Sequence, residues 1–191
     1  MSLVSETHQA TPPHGPVVTL PAAPYAHAPT AGGAVPREVL SFRLGAEEYG
    51  IDILRVQEIR SYEAPTRIAN APRFVMGVVN LRGVIVPIID LRLKLGCSSV
   101  QYNEFTVVIV LTVLDRVIGI VVDSASDVLE VPPEQVKPAP PLASAIDAGH
   151  ILGMGCVRQG DTERMLILTD IQALLAGADM GLFDPPQALT A

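Results

Sequence analysis

The chain has 191 residues, with 13 Lys or Arg against 20 Asp or Glu and a net charge of −7. This length fits one compact domain or two small units sharing a core. The acidity argues against nucleic-acid binding, which needs a basic surface for phosphate. Hydrophobic residues make up 49% of the chain and aromatics only 4%, with no Trp. The apolar mass is therefore Val, Ile and Leu, which favours strands. No apolar run approaches the roughly 20 residues of a membrane-spanning helix; the longest, Phe105 to Leu114, is broken by Thr112 and ends at Asp115.

Residues 1–36 hold seven of the 17 prolines and a single charge, Glu6. Such a segment buries too little apolar surface to offset its ordering entropy, which predicts a flexible tail. Its histidines, His8, His14 and His27, lack the regular spacing of metal ligands. The segment has neither a basic n-region nor an apolar h-region, so it does not read as a signal peptide. The two cysteines, Cys97 and Cys156, read as thiols of a reducing cytoplasm. Residues 184–191 are expected to form a second short flexible tail.

From residue 37 the texture changes to that of a folded domain. Val39–Leu44 reads as a strand, residues 45–48 as a turn and Tyr49–Ile53 as the returning strand. Met76–Leu81 and Val84–Ile89 flank Arg82-Gly83 as a hairpin. Phe105–Leu114 and Val117–Val122 flank Asp115-Arg116 as another, and a third hairpin involves Val157 and Met165–Leu168. Short helices are expected at Asp90–Leu95 and Asp170–Ala176, each with an Asp at the N-cap and a following glycine, Gly96 or Gly177. The chain also repeats itself. Tyr49-Gly50-Ile51 resembles Ile118-Gly119-Ile120, and Gly77 through Asp90-Leu91 resembles Gly153 through Asp170-Ile171. Copies beginning near residues 38 and 105, each of about five strands and a capping helix, predict two small five-stranded barrels packed together.

Residues with catalytic potential are sparse. His150 is the one histidine outside the first 36 residues and has no triad-like neighbour in sequence. Gly153-Met154-Gly155 lacks the third glycine and long helix of a dinucleotide fingerprint. Asp123, Asp127 and Glu130 lack the ligand order of a calcium loop. A binding protein is the better reading. Plain alternation places Val56 and Glu58 on one side of a strand, a half-apolar, half-charged edge suited to a partner helix. Arg82 stands at a hairpin tip.

Tyr49 through Arg60 and Gly77 through Arg92, with Asn80-Leu81-Arg82-Gly83 at the centre, resemble the chemotaxis coupling protein family, CheW. Thr66–Asn70, Tyr102-Asn103, Thr106–Val110, Val117–Asp123, Pro138–Pro140 and Arg164–Leu168 extend the resemblance over roughly residues 38 to 183. It implies two intertwined SH3-like barrels within residues 37–183 and a scaffold without catalysis or cofactor. The implied partners are the cytoplasmic tip of chemoreceptors and the regulatory domain of the histidine kinase CheA, with no nucleic acid and no direct membrane insertion. The implied location is the cytoplasm, with recruitment to receptor arrays at the inner face of the membrane. By position, Val56, Val107 and Val108 match groove residues between the barrels, Gly77 a receptor-coupling position, and Glu58 and Arg82 a functional charge pair. On the residues alone two other readings stay open: a coupler serving a non-flagellar system, and an enzyme or ligand sensor built on His150, Cys97 or Cys156.

Overall fold

The computed structural model describes residues 38–97, 99–139, 149–159 and 162–176. Both expected tails, and Gly177, lie outside the described residues. The first half of the chain forms β1 (Glu38–Leu44), β2 (Glu47–Asp52), β3 (Val56–Ser61), β4 (Val75–Leu81), β5 (Val84–Asp90) and helix α1 (Leu91–Lys94). The second forms β6 (Val107–Val113), β7 (Arg116–Val122), β8 (Ser124–Glu130), β9 (Val136–Lys137), β10 (Ile151–Gln159), β11 (Thr162–Thr169) and helix α2 (Ile171–Leu175). Both helices start where expected: Asp90 accepts from the Arg92 amide at 3.0 Å, and Asp170 from the Gln172 amide at 2.9 Å.

The hairpin turns follow their chemistry with one shift. Arg82 and Gly83 both adopt positive φ, 51° and 90°, and the Gly83 amide donates to Asn80 Oδ1 at 2.7 Å. The next hairpin turns on Leu114-Asp115, one residue earlier than the sequence suggests, because Arg116 already pairs with Val113.

The strands form two sheets, in the orders β8-β1-β2-β11-β10-β9 and β3-β6-β7-β5-β4. The architecture is mainly β, as expected, but one sheet has six strands, through the two-residue β9. The halves of the chain are also exchanged: β6 and β7 complete the sheet of β3–β5, while β1 and β2 complete the sheet of β8–β11. The expected boundary near residue 105 therefore divides the sequence repeat, not the sheets. The repeat itself is real at the level of register. Ile88 pairs in parallel with Gly119 just as Leu168 pairs with Gly50. A Cβ on Gly119 would lie 2.5 Å from Ile88 Cδ1, and one on Gly50 3.2 Å from Leu168 Cδ2. Each glycine admits its partner's side chain.

Strand alternation sorts the apolar residues into three cores. Val86, Ile88, Val108, Val110 and Val121 fill the inside of the five-stranded sheet, and Val39, Leu129, Val131, Val157, Leu166 and Leu168 that of the six-stranded sheet. Between the sheets lies the largest cluster, in which Leu40, Phe42 and Ile51 meet Ile109, Leu111, Ile118, Ile120 and the α2 residues Ile171, Leu174 and Leu175.

A polar network ties this assembly together. Asp90 is fully buried and Arg92 is 3% exposed. Arg92 Nη2 donates to Asp90 Oδ2 at 2.7 Å and Nη1 to Asp123 Oδ1 at 2.6 Å. Asp123 Oδ2 accepts the Gly45 amide from the β1–β2 turn at 2.7 Å, so one carboxylate joins both sheets. The Tyr102 hydroxyl donates to Asp90 Oδ2 at 2.9 Å, and its ring stacks on Tyr62 with centroids 4.5 Å apart. Burial would lower the Arg92 pKa, but its hydrogen bonds to Asp90 and Asp123 raise it overall.

Replacing Arg92 by Met leaves Asp90 buried without its cation, and urea denaturation should show a loss of about 3–5 kcal/mol. A second expectation concerns alkaline pH. Burial, followed by the hydrogen bond to Asp90, raises the Tyr102 pKa, and burial raises that of Tyr62, each above the ordinary 10.0. Unfolded tyrosines lose protons near that pH while the folded ones keep theirs, so this stability is present below about pH 10 and is lost as the pH rises further. Melting temperatures from about pH 9 to about pH 11 should fall less steeply in Tyr102→Phe than in the parent.

Candidate interaction surface

The five-stranded sheet curls until its edge strands β3 and β4 face each other. The chain leaving β3 closes the gap with one bridge, in which Thr66 and Val78 exchange two backbone hydrogen bonds of 2.9 Å. This closure depends on Gly77. Its φ is 138°, and a Cβ there would lie 2.1 Å from the Thr66 carbonyl oxygen. No side chain fits that approach unless the crossing segment moves.

The expected charge pair spans this seam. Glu58, on β3, is 7% exposed. Arg82, at the β4–β5 turn, donates from Nη2 to Glu58 Oε2 at 2.9 Å, and Arg60 Nη1 lies 3.8 Å from Oε1. The pair is asymmetric. A buried carboxylate needs such partners, whereas the Arg82 side chain stays 75% exposed. Glu58 thus fixes a guanidinium that still presents donors outward. Along the seam runs a cavity of about 220 Å³, with Val108 and Val110 among its apolar lining and Arg60, Thr66 and Asn80 among its polar lining.

The six sequence-predicted residues do not form one groove. Glu58, Gly77 and Arg82 meet at the seam, and Val108 lines its cavity. Val56 and Val107 pack instead on the core between the sheets. The expectation that Val56 and Glu58 share one side is overturned by a β-bulge. Val56 pairs with Leu111 and Glu58 with Val110, so Gln57 is the extra residue and the side chains on either side of it face opposite ways. Gln57 is held there by donating from Nε2 to Thr112 Oγ1 at 2.6 Å.

Sequence reasoning missed Arg60, Thr66 and Asn80. Arg60 was within reach, because it alternates with Glu58 beyond the bulge. Thr66 and Asn80 carry no such signal, since only the closing bridge brings their segments together. The reactive side chains considered above are dispersed. Cys97 is exposed after α1, Cys156 pairs with Met165 inside the six-stranded sheet, and the His150 carbonyl accepts the Asp170 amide at 2.8 Å.

Substituting Ala at Gly77 should open the seam while sparing the cores. Hydrogen exchange is the direct check: the Thr66 and Val78 amides should lose protection by at least about tenfold, with the β6–β7 amides unchanged.

The family profile described as CheW-like domain matches residues 38–179, which include every described strand. Chemotaxis protein CheW of Klebsiella aerogenes is 56% identical over 154 residues, covering 81% of this chain and 90% of that protein. Protein FrzA of Myxococcus xanthus is 28% identical over 142 residues, or 74% of this chain and 87% of that one. Among solved structures, the scaffolding protein TtCheW from Thermoanaerobacter tengcongensis superposes with a TM-score of 0.67 at 28% identity, covering 78% of this chain and 98% of that chain. Sequence, register and fold thus agree, and the chain belongs to the CheW family of chemotaxis proteins.

Proposed function

We propose that this protein is a non-catalytic scaffold that couples methyl-accepting chemoreceptors to the histidine kinase CheA. The observation that carries the reading is the Glu58–Arg82 pair, a buried carboxylate holding an exposed guanidinium beside a cavity of mixed apolar and polar lining. That arrangement suits the cytoplasmic tip of a receptor's helical hairpin. The apolar face of an amphipathic helix meets branched side chains, and Arg82 sets its register against a carboxylate or carbonyl.

In this reading Glu58, Arg82 and Val108 touch the receptor. Gly77 acts by keeping the seam closed, and Val56 and Val107 support the flank of β3 and β6 that faces the other sheet. Receptor conformation reaches the kinase through a rigid body clamped by the Asp90–Arg92–Asp123 network. Each contact is modest, and repetition of receptors and kinases in an array supplies avidity. The protein works in the cytoplasm and is held at the membrane by its partners; no helix among the described residues is long and apolar enough to cross a bilayer.

The test is a reconstituted assay of kinase autophosphorylation with this protein, CheA from the same organism and receptor-containing membranes. Activation should require all three components. Arg82→Glu places a second carboxylate against Glu58 at an exposed position, and receptor-dependent activation should drop by about tenfold or more, equivalent to about 1.4 kcal/mol. Circular dichroism should stay native. Activation without this protein, or undiminished by Arg82→Glu, would overturn the reading.

A further inference from the structure

We infer that the outer face of β10 and β11 is covered by the chain's own C-terminal segment, with residues 179–184 lying along it. Strand alternation defines that face. Val157, Leu166 and Leu168 fill the inside of the six-stranded sheet, so Met154, Cys156, Met165 and Ile167 point the other way. Register sets Cys156 opposite Met165, Met154 opposite Ile167, and Ile167 beside Tyr49 of β2. The four side chains make a continuous apolar strip. Met165 is 59% exposed there, although its side chain gains from burial.

The chain leaves its last helix on the same side. On this side of the sheet β1 and β2 are already covered, because Phe42, Tyr49 and Ile51 pack in the core between the sheets. Ile171, Leu174 and Leu175 of α2 pack in that core too. Helix α2 therefore ends beside the part of the face that the other sheet leaves bare. Fifteen residues follow Ala176. Fully extended they reach about 50 Å, against about 13 Å along β10 from Met154 to Arg158.

The order of residues in that segment matches the strip. Met180-Gly181-Leu182-Phe183 is its densest apolar run; Asp179 and Asp184 flank it, and Pro185-Pro186 follows. The strip is flanked by cations. Lys137 on β9 stands opposite Met154, and Arg158 lies beyond Cys156 on β10; both are exposed. Neither has an ion-pair partner among the described residues, although Glu163 stands opposite Arg158. Two aspartates five residues apart span about 17 Å when extended, which long cationic side chains at the two ends of the strip can meet. Residues 177–191 carry no Lys or Arg, so nothing in the segment repels those cations. A segment tethered at the end of α2 meets the strip at an effective concentration on the order of millimolar. That places it ahead of a free partner with similar residues.

The experiment compares the full chain with the double variant Leu182→Glu/Phe183→Glu. Both are exposed to dilute hydrogen peroxide, and oxidation of each methionine is followed by mass spectrometry. Met165 should oxidise about fivefold faster or more in the variant, as expected when a cover held by apolar contact is released. Met76, in the other sheet, should keep its parent rate, and circular dichroism should stay native. A second full-length variant tests proximity directly. Leu182→Cys combined with Cys97→Ser should form an intrachain disulfide with Cys156 in a glutathione buffer. Equal Met165 rates in parent and double variant, or no intrachain disulfide, would overturn the inference. Disulfides formed only between chains, with a mass that rises with concentration, would give the strip to a second copy instead. Equal rates that fall only when CheA is added would give it to the kinase.

Discussion

The fold turns on a buried ion network. Asp90 has no exposure to water, and its two oxygens are divided among the Arg92 backbone, the Arg92 guanidinium and Tyr102. Arg92 in turn grips the Gln101 carbonyl at 2.8 Å and Asp123 at 2.6 Å. Through these contacts the end of β5, helix α1, the connection into β6 and the β1–β2 turn of the other sheet are set relative to one another. Buried charges of this kind add little net stability over an apolar replacement. Their directionality admits one arrangement of the sheets, which two greasy faces alone leave adjustable. The repeat lacks an equivalent: Gln172 stands after Asp170 where Arg92 follows Asp90, so the clamp belongs to one half only.

Fixed sheets make the seam possible. The five-stranded sheet closes through a single two-bond bridge, and the chain fits there only because residue 77 has no side chain. A seam closed by so little backbone leaves a cavity that regular sheet would have filled. Glu58 comes from β3 and Arg82 from the β4–β5 turn, so the pair spans the seam directly. Strand exchange carries the consequence further, since β6 and β7 of the five-stranded sheet continue directly into β8 of the other. A contact made on one sheet is thus connected covalently and through a shared core to the second.

The second sheet shows how the same framework can be used differently. Where β5 and β7 present Val84, Val117 and Arg116, the corresponding stretch of β11 and β2 carries Arg164 and Glu48 in an ion pair, with Arg164 Nη1 also reaching Asp127 at 3.2 Å. One end is apolar and open, the other polar and internally satisfied. Two halves with one repeated pattern therefore carry different surfaces.

Much of this was legible in the residues. The Arg82-Gly83 hairpin and the aspartate caps of both helices follow from local chemistry: turn φ and capping oxygens. The resemblance to a known family in β3 and in the β4–β5 hairpin was equally a matter of residue order. Three things were not legible in local chemistry, because each is set by contacts between segments far apart in sequence. Strand exchange left no local trace, since β1 and β2 form the same hairpin whichever sheet they join, and only the family resemblance implied intertwined barrels. The bulge at Gln57 depends on which β6 residues stand opposite, and it alone turned Val56 and Glu58 to opposite faces. The seam cavity exists only because Thr66 and Val78 meet across the gap between β3 and β4. Local rules of turn, cap and alternation are written along the chain, whereas register and closure are settled where strands meet.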